Sequence, residues 1–112
     1  MVPLYDKSSS LYEKCLDAIS EISGFDREDL LSSRVGDRPM LRFMVWKYVY
    51  MHSFSSTSKI GELAGKDHST IYYGIKAVQD RIALYPETRA IWEQFEQFMF
   101  NQYNNQNNEQ QS

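Results

Sequence analysis

The segment that decides the fold runs from residue 60 to residue 71 and reads Ile60-Gly61-Glu62-Leu63-Ala64-Gly65-Lys66-Asp67-His68-Ser69-Thr70-Ile71. A short helix, a glycine turn and a second helix that begins with polar residues are typical of the helix-turn-helix. Proteins use this arrangement to place the second helix in a DNA groove. The segment therefore predicts an all-α domain and makes double-stranded DNA the expected ligand.

The residues after the turn predict a recognition helix that begins at His68. Apolar residues recur there at steps of four, three and four, which places them in one buried stripe of an α-helix: Ile71, Ile75, Val78 and Ile82. The opposite stripe carries Ser69, Tyr73 and Lys76, whose hydrogen-bond donors and positive charge suit phosphate oxygens and base edges. Asp67 is expected to cap this helix, a role that is compatible with DNA contact.

The same residues resemble the C-terminal DNA-binding domain of the bacterial replication initiator DnaA, which has a helix-turn-helix of the Trp-repressor-like type. The signature of that family is Ile-Gly, a spacer, and then Gly-Arg/Lys-Asp-His-Ser/Thr-Thr. This chain has Ile60-Gly61 followed by Gly65-Lys66-Asp67-His68-Ser69-Thr70. The likeness extends upstream through residues 29–34 to the helix near Arg42, and it covers about residues 11–84.

The resemblance implies that the recognition helix enters the major groove while a basic loop touches the adjacent minor groove. Asp67, His68, Ser69 and Thr70 would then meet bases and phosphates, and Lys66 and Lys76 would supply positive charge. Arg34, Arg38 and Arg42 would represent the basic loop and the start of the next helix. With Tyr73 from the polar stripe, the expected DNA-binding residues are Arg34, Arg38, Arg42, Lys66, Asp67, His68, Ser69, Thr70, Tyr73 and Lys76.

Three departures from the family pattern bear on the target sequence. Ser69 lacks the methyl group that a threonine could place against a thymine methyl, and Tyr73 stands where the family often has a smaller polar side chain. The short loop also contains an acid, Asp37. These departures indicate that the preferred sequence can differ from the family's box.

The charge of the chain is unevenly distributed. Its net charge is −3, although DNA-binding domains are usually basic. Residues 34–76 carry seven basic and three acidic side chains, whereas residues 1–33 and 77–112 have net charges of −4 and −3. This asymmetry either arises by chance or marks a DNA-binding face, and the acidic flanks predict weak non-specific binding with a modest salt dependence.

The pattern along the chain predicts about six helices. Ser10 is expected to cap a first helix that Gly24 ends, and Asp26 should open a short second one by a capping-box arrangement. A third helix, over residues 40–51 after Pro39, is apolar on two faces and should be central. Its faces carry Leu41, Met44, Val45 and Tyr48 on one side and Phe43, Trp46 and Tyr50 on the other. Ser56 should cap a helix from Thr57 to Ala64.

A final helix is expected after Pro86, with an apolar stripe of Ile91, Trp92, Phe95, Phe98 and Met99. The stripe is expected to cover the face of the third helix that carries Phe43, Trp46 and Tyr50. The alternative is a dimer surface or a docking surface for a protein such as a replication initiator. Residues 1–100 are thus interpreted as one domain, and the Asn/Gln-rich residues 101–112 as a mobile tail.

Other functional classes find little support in the sequence. The run from Gly61 to Asp67 differs from a nucleotide-binding loop because three residues separate its glycines and Asp67 replaces the magnesium-binding Ser/Thr. Cys15 lies on an apolar face, and one cysteine with two histidines does not give metal-ligand spacing. No apolar stretch approaches a membrane span, and no leader opens the chain. We therefore expect a cytoplasmic protein that is not an enzyme, has no cofactor, metal or nucleotide, and lacks the initiator's ATPase.

Two further functions are consistent with the sequence. A transcriptional regulator could use the same DNA contacts, because a bound helix-turn-helix can block a polymerase. A protein-interaction adaptor could instead keep the fold and lose DNA binding.

Overall fold

The computed structural model describes the backbone of residues 6–111 and the side chains of residues 9–102. This part of the chain is all-α and contains six helices, which confirms the predicted fold class. The helices are α1 (Asp6–Ser23), α2 (Arg27–Ser32), α3 (Arg38–Ser53), α4 (Thr57–Ala64), α5 (His68–Leu84) and α6 (Pro86–Gln111). Among them, no helix is long and apolar enough to cross a lipid bilayer.

The third helix is the centre of the domain, as its two apolar faces predict. It packs most extensively against α1 and α5. Its buried side chains point in several directions, which a helix can satisfy only between neighbours: Leu41, Met44, Val45, Trp46 and Val49. The rest of the core comes from every other helix, with Leu16 and Ile19 of α1 among its fully buried members.

The fifth helix lies on the face of α3 that carries Phe43 and Trp46. A Cβ atom at Gly74 would lie 2.7 Å from atoms of both rings, so only glycine allows α5 this close to α3. The prediction that the final helix covers this face is therefore wrong. Instead, α6 reaches Tyr48, whose ring centroid lies 5.2 Å from that of Phe95 and 6.2 Å from that of Trp92.

The apolar stripe of α6 belongs to the core. Trp92, Phe95 and Met99 are buried, whereas Phe100 is exposed. Of the predicted tail, residues 101–111 continue α6 as helix, and their mobility stays a prediction.

The helix ends agree with the local signals except at two N-termini. The hydroxyl of Ser56 accepts a hydrogen bond from the Lys59 N–H (3.1 Å), and Pro39 occupies the first turn of α3, as expected. Ser10, the predicted cap of α1, lies inside that helix, because α1 already includes Asp6. Asp26 precedes α2, but its side chain makes no cap hydrogen bond, so the capping-box expectation is wrong.

Candidate nucleic-acid interface

The turn between α4 and α5 is held by backbone hydrogen bonds to a single carbonyl group. Gly65 has a φ of 70°, a left-handed conformation that favours glycine, and its N–H donates to the Gly61 carbonyl oxygen. The Lys66 N–H donates to the same oxygen over 2.9 Å. A Cβ atom at Gly61 would overlap with the backbone carbonyl oxygen of Lys66. Gly61 is thus explained by the close approach of the turn to α4, and Gly65 by its left-handed conformation.

Asp67 caps the helix that follows this turn, as the sequence predicts. Its Oδ1 atom accepts hydrogen bonds from the Thr70 N–H (2.8 Å) and the Ser69 hydroxyl (3.0 Å). These hydrogen bonds lower the pKa of Asp67. The Thr70 N–H has the largest effect, followed by the hydroxyl groups of Thr70 and Ser69. A carboxylate held in this way fixes the position of the first turn of α5 and leaves His68 and Thr70 at the surface.

The two faces of α5 are arranged as the periodicity indicates. Ile71, Ile75 and Val78 are buried against the domain. The expected contact residues on this helix all lie at the surface, namely His68, Ser69, Thr70, Tyr73 and Lys76. Tyr72 is exposed beside them, although the sequence did not predict it as a contact residue. Its spacing of three residues from Ser69 is the signal that could have placed it there.

Three cations of the predicted set are exposed: Arg34, Lys66 and Lys76. Within the described side chains, no ion pair involves any of them. Lys66 lies directly before the cap of α5, and Lys76 lies two turns along that helix. Arg34 belongs to the loop between α2 and α3. These side chains are available for phosphate oxygens.

Arg42 does not join this exposed set. It is buried, and its Nη1 atom donates hydrogen bonds to the carbonyl oxygens of Leu30 and Ser33, the latter over 3.1 Å. Burial lowers the pKa of its guanidinium, and the nearby positive charge of Arg34 acts in the same direction. The guanidinium therefore supports the C-terminal end of α2, and the expectation that Arg42 meets DNA is not supported by its position.

Arg38 is only partly available to a ligand. Its guanidinium lies over the Phe25 ring, 4.3 Å from the ring centroid, and it is half-buried. Its Nη1 atom also donates to the Val35 carbonyl oxygen over 3.4 Å. This packing holds the loop to the segment between α1 and α2, and it leaves Arg34 as the more accessible arginine.

Two further cations of the basic segment contact other side chains of the protein. Lys47 lies 5.3 Å from the centroid of the Trp92 ring, and burial lowers its pKa. Lys59 approaches Glu62 on α4 to 3.9 Å. The charge available beside α5 is smaller than the +4 of the segment indicates, which strengthens the expectation of a modest salt dependence.

A partly open cavity of about 430 Å³ lies between α1, α3 and α6, away from the turn. Tyr48, His52 and Phe100 are part of its lining, and the rings of Tyr48 and His52 stack with centroids 4.1 Å apart.

Cys15 is fully buried, and burial raises the pKa of its thiol above the ordinary range. Across residues 9–102, no three His, Cys, Asp or Glu side chains come together as metal ligands would.

No protein-family model matches the sequence, and no curated protein shows significant similarity to it. The resemblance to the DnaA domain therefore rests on the motif residues of α4, the turn and α5, together with the likeness upstream in residues 29–34 and near Arg42.

Proposed function

We propose that this chain binds double-stranded DNA through the α4–α5 helix-turn-helix, with α5 in the major groove. The observation that carries the proposal is the first turn of α5. There His68, Ser69 and Thr70 are exposed together, while Asp67 caps the helix and Gly61 and Gly65 hold the turn. The fold uses the other side of α5 for its core, so these side chains face outward, with the Ser69 hydroxyl donating to Asp67.

The residues divide into two roles in this proposal. Lys66, Lys76 and Arg34 neutralise phosphates, which fixes the position of the protein without reading sequence. His68, Ser69 and Thr70 meet base edges at the floor of the groove, where each base pair presents a distinct pattern of donors and acceptors. The positive end of the α5 dipole adds to the attraction for phosphate.

The biological role that fits this content is that of a DnaA-like DNA-binding domain. Such a chain occupies or marks a site, in replication initiation or in its regulation. Transcriptional regulation would use the same contacts, and the position of the bound sites distinguishes the two. Genome-wide mapping of bound sites would place them at replication origins in the first case and at promoters in the second.

Fluorescence anisotropy tests the proposal directly. The chain is titrated into a duplex that carries the DnaA family's box and into a scrambled duplex, at about 50 mM and about 200 mM salt. Selective binding that weakens with salt supports a site-specific domain with the family's preference. Equal, salt-sensitive binding to both duplexes keeps DNA as the ligand and directs the search to a random-sequence pool.

Three substitutions assign the roles within that measurement. Lys76→Ala should weaken binding to all duplexes by a similar factor, whereas His68→Ala and Thr70→Ala should reduce the preference for the best site. Ser58→Ala, an exposed position on α4, is the matched control and should change neither. Absence of binding to every duplex at the lower salt concentration would refute the proposal.

A protein-interaction adaptor is the second candidate, and the surroundings of Phe100 favour it. Phe100 is exposed and borders two hollows that also share Tyr48 and His52. Trp92 and Phe95 are core residues, so the docking surface would be centred on Phe100 instead. An adaptor would tolerate Lys76→Ala and lose its partner with Phe100→Ala, whereas a DNA-binding domain would show the reverse.

A further inference from the structure

Two adjacent aromatic side chains stand out on the exposed face of α5. Tyr72 is 61% exposed and Tyr73 is 70% exposed. Neither ring takes part in a ring-ring or cation-π contact with any side chain of residues 9–102. The domain holds α5 through Ile71, Gly74, Ile75 and Val78, so its packing does not require these rings.

The two rings flank the line of polar residues along the helix. Successive residues of an α-helix are separated by about 100°, which places Tyr72 about 60° to one side of Ser69 and Tyr73 about 40° to the other. Lys76 lies between them, one turn further along the helix. A helix that approaches a DNA groove with Ser69 and Lys76 therefore brings both rings to the groove with them.

The chemistry of the major groove limits what these rings can contact there. Hydrogen-bond donors and acceptors line the base edges, and the 5-methyl group of thymine is the apolar exception. A tyrosine ring supplies apolar contact surface, and its hydroxyl can donate to a phosphate oxygen at the groove wall.

We infer that Tyr72 and Tyr73 make this chain selective for thymine by packing against thymine methyl groups in the major groove. The inference rests on the proposed DNA-binding function. It assigns to these two rings the preference for thymine, which the polar residues of α5 do not explain. Removing one contacted methyl group should weaken binding about fourfold, because burial of one such group contributes that much to an equilibrium constant.

Replacement of thymine by uracil tests this inference, because uracil lacks only the 5-methyl group and keeps the same pairing. Preferred sites are first selected with the full chain from a random-sequence duplex pool. The selected duplex is then synthesised in two forms, one with its thymines and one with uracil in place of each thymine. The dissociation constants of the two duplexes are compared by anisotropy. We expect thymine in the selected site and tighter binding to the thymine duplex.

Four variants locate the effect. The double variant Tyr72→Ala/Tyr73→Ala should bind both duplexes equally, while Tyr72→Phe/Tyr73→Phe, which keeps the rings, should retain the difference. Lys76→Ala should weaken binding to both by the same factor. Tyr85→Ala removes an exposed tyrosine just after α5 and is the matched control. Circular dichroism spectra establish that each variant remains helical.

The outcomes separate the inference from the function on which it rests. No binding to any duplex at low salt would refute both. Binding with equal affinity for the thymine and uracil duplexes, or discrimination that persists in the double alanine variant, would overturn the inference and leave DNA binding intact.

Discussion

Residues 61–70 and residues 33–42 both belong to the proposed DNA interface, yet the fold uses their side chains differently. In the first segment, the fold is held by glycines, backbone hydrogen bonds and the Asp67 carboxylate, and the side chains of Lys66, His68 and Thr70 remain in solvent. In the second, Arg42 is buried and Arg38 packs on an aromatic ring, so Arg34 alone of the three arginines is fully at the surface.

The difference shows that a charged residue near a binding motif need not be a binding residue. Arg42 carries the same charge as Arg34, but two carbonyl oxygens at the end of α2 hold its guanidinium inside the protein. Helix ends leave carbonyl groups unpaired, and a buried arginine is one way to satisfy them. The turn at residues 61–70 satisfies its own backbone and therefore keeps its side chains available.

Replacement of Gly61 by alanine should cause the largest loss of stability among the variants that test this comparison. The added Cβ atom meets the Lys66 carbonyl oxygen, which is backbone and cannot rotate away, so the turn must open. We expect the free energy of unfolding to fall by about 3 kcal/mol, at the upper end for an overpacked site. Urea denaturation of Gly61→Ala and of the control Ser58→Ala measures this. Equal stability of the two variants would mean that the turn is not held as described.

Arg42→Ala should be the next most damaging change. Its loss leaves the Leu30 and Ser33 carbonyl oxygens without their charged donor, and we expect a fall of about 2 kcal/mol in the free energy of unfolding. Arg34→Ala removes the same charge from an exposed position and should stay within about 0.5 kcal/mol of the parent. A stable Arg42→Ala variant with impaired DNA binding would instead return Arg42 to the interface.

The parts of the structure that the sequence predicted are those with local causes. The bounds of α4 and the start of α5 follow from Ser56, Gly65 and Asp67, each of which acts within a few residues along the chain. The burial of Arg42 depends on carbonyl groups nine and twelve residues away, whose positions only tertiary packing sets. No local pattern encodes such an interaction.

The packing of the helices shows the same limit. Periodicity identified α3 as central because it has two apolar faces, whereas the single stripe of α6 favoured a core position and left a docking surface as the alternative. It did not identify which helix lies on which face. Gly74 leaves room for α5 beside Phe43 and Trp46, and α6 is left to pack near Tyr48.

The cap of α5 predicts a pH-dependent stability. The pKa of Asp67 lies below its ordinary value of 3.8 in the folded protein, so its contribution is complete above that pH and is lost as the pH falls through the depressed pKa. Asp67→Asn keeps a capping side chain without a titrating charge. The difference in melting temperature between parent and variant should therefore shrink from about pH 6 to about pH 2.5. A difference that stays constant would show that the charge of Asp67 does not stabilise α5.

The smallest expected effect separates Arg34 from Arg38 in DNA binding. If Arg34 contacts one phosphate, Arg34→Ala should reduce the slope of log K against log salt by about 0.9, because one condensed counterion fewer is released. Arg38→Ala should change that slope less, since its guanidinium is already packed on Phe25, but it should lower stability through the lost contact with the ring. Anisotropy titrations over a range of salt, paired with thermal melts, measure both quantities on each variant. Equal salt slopes for the two variants would mean that Arg34 and Arg38 contact DNA to the same extent. In that case, the packing of Arg38 on Phe25 would not reduce its contact with phosphate.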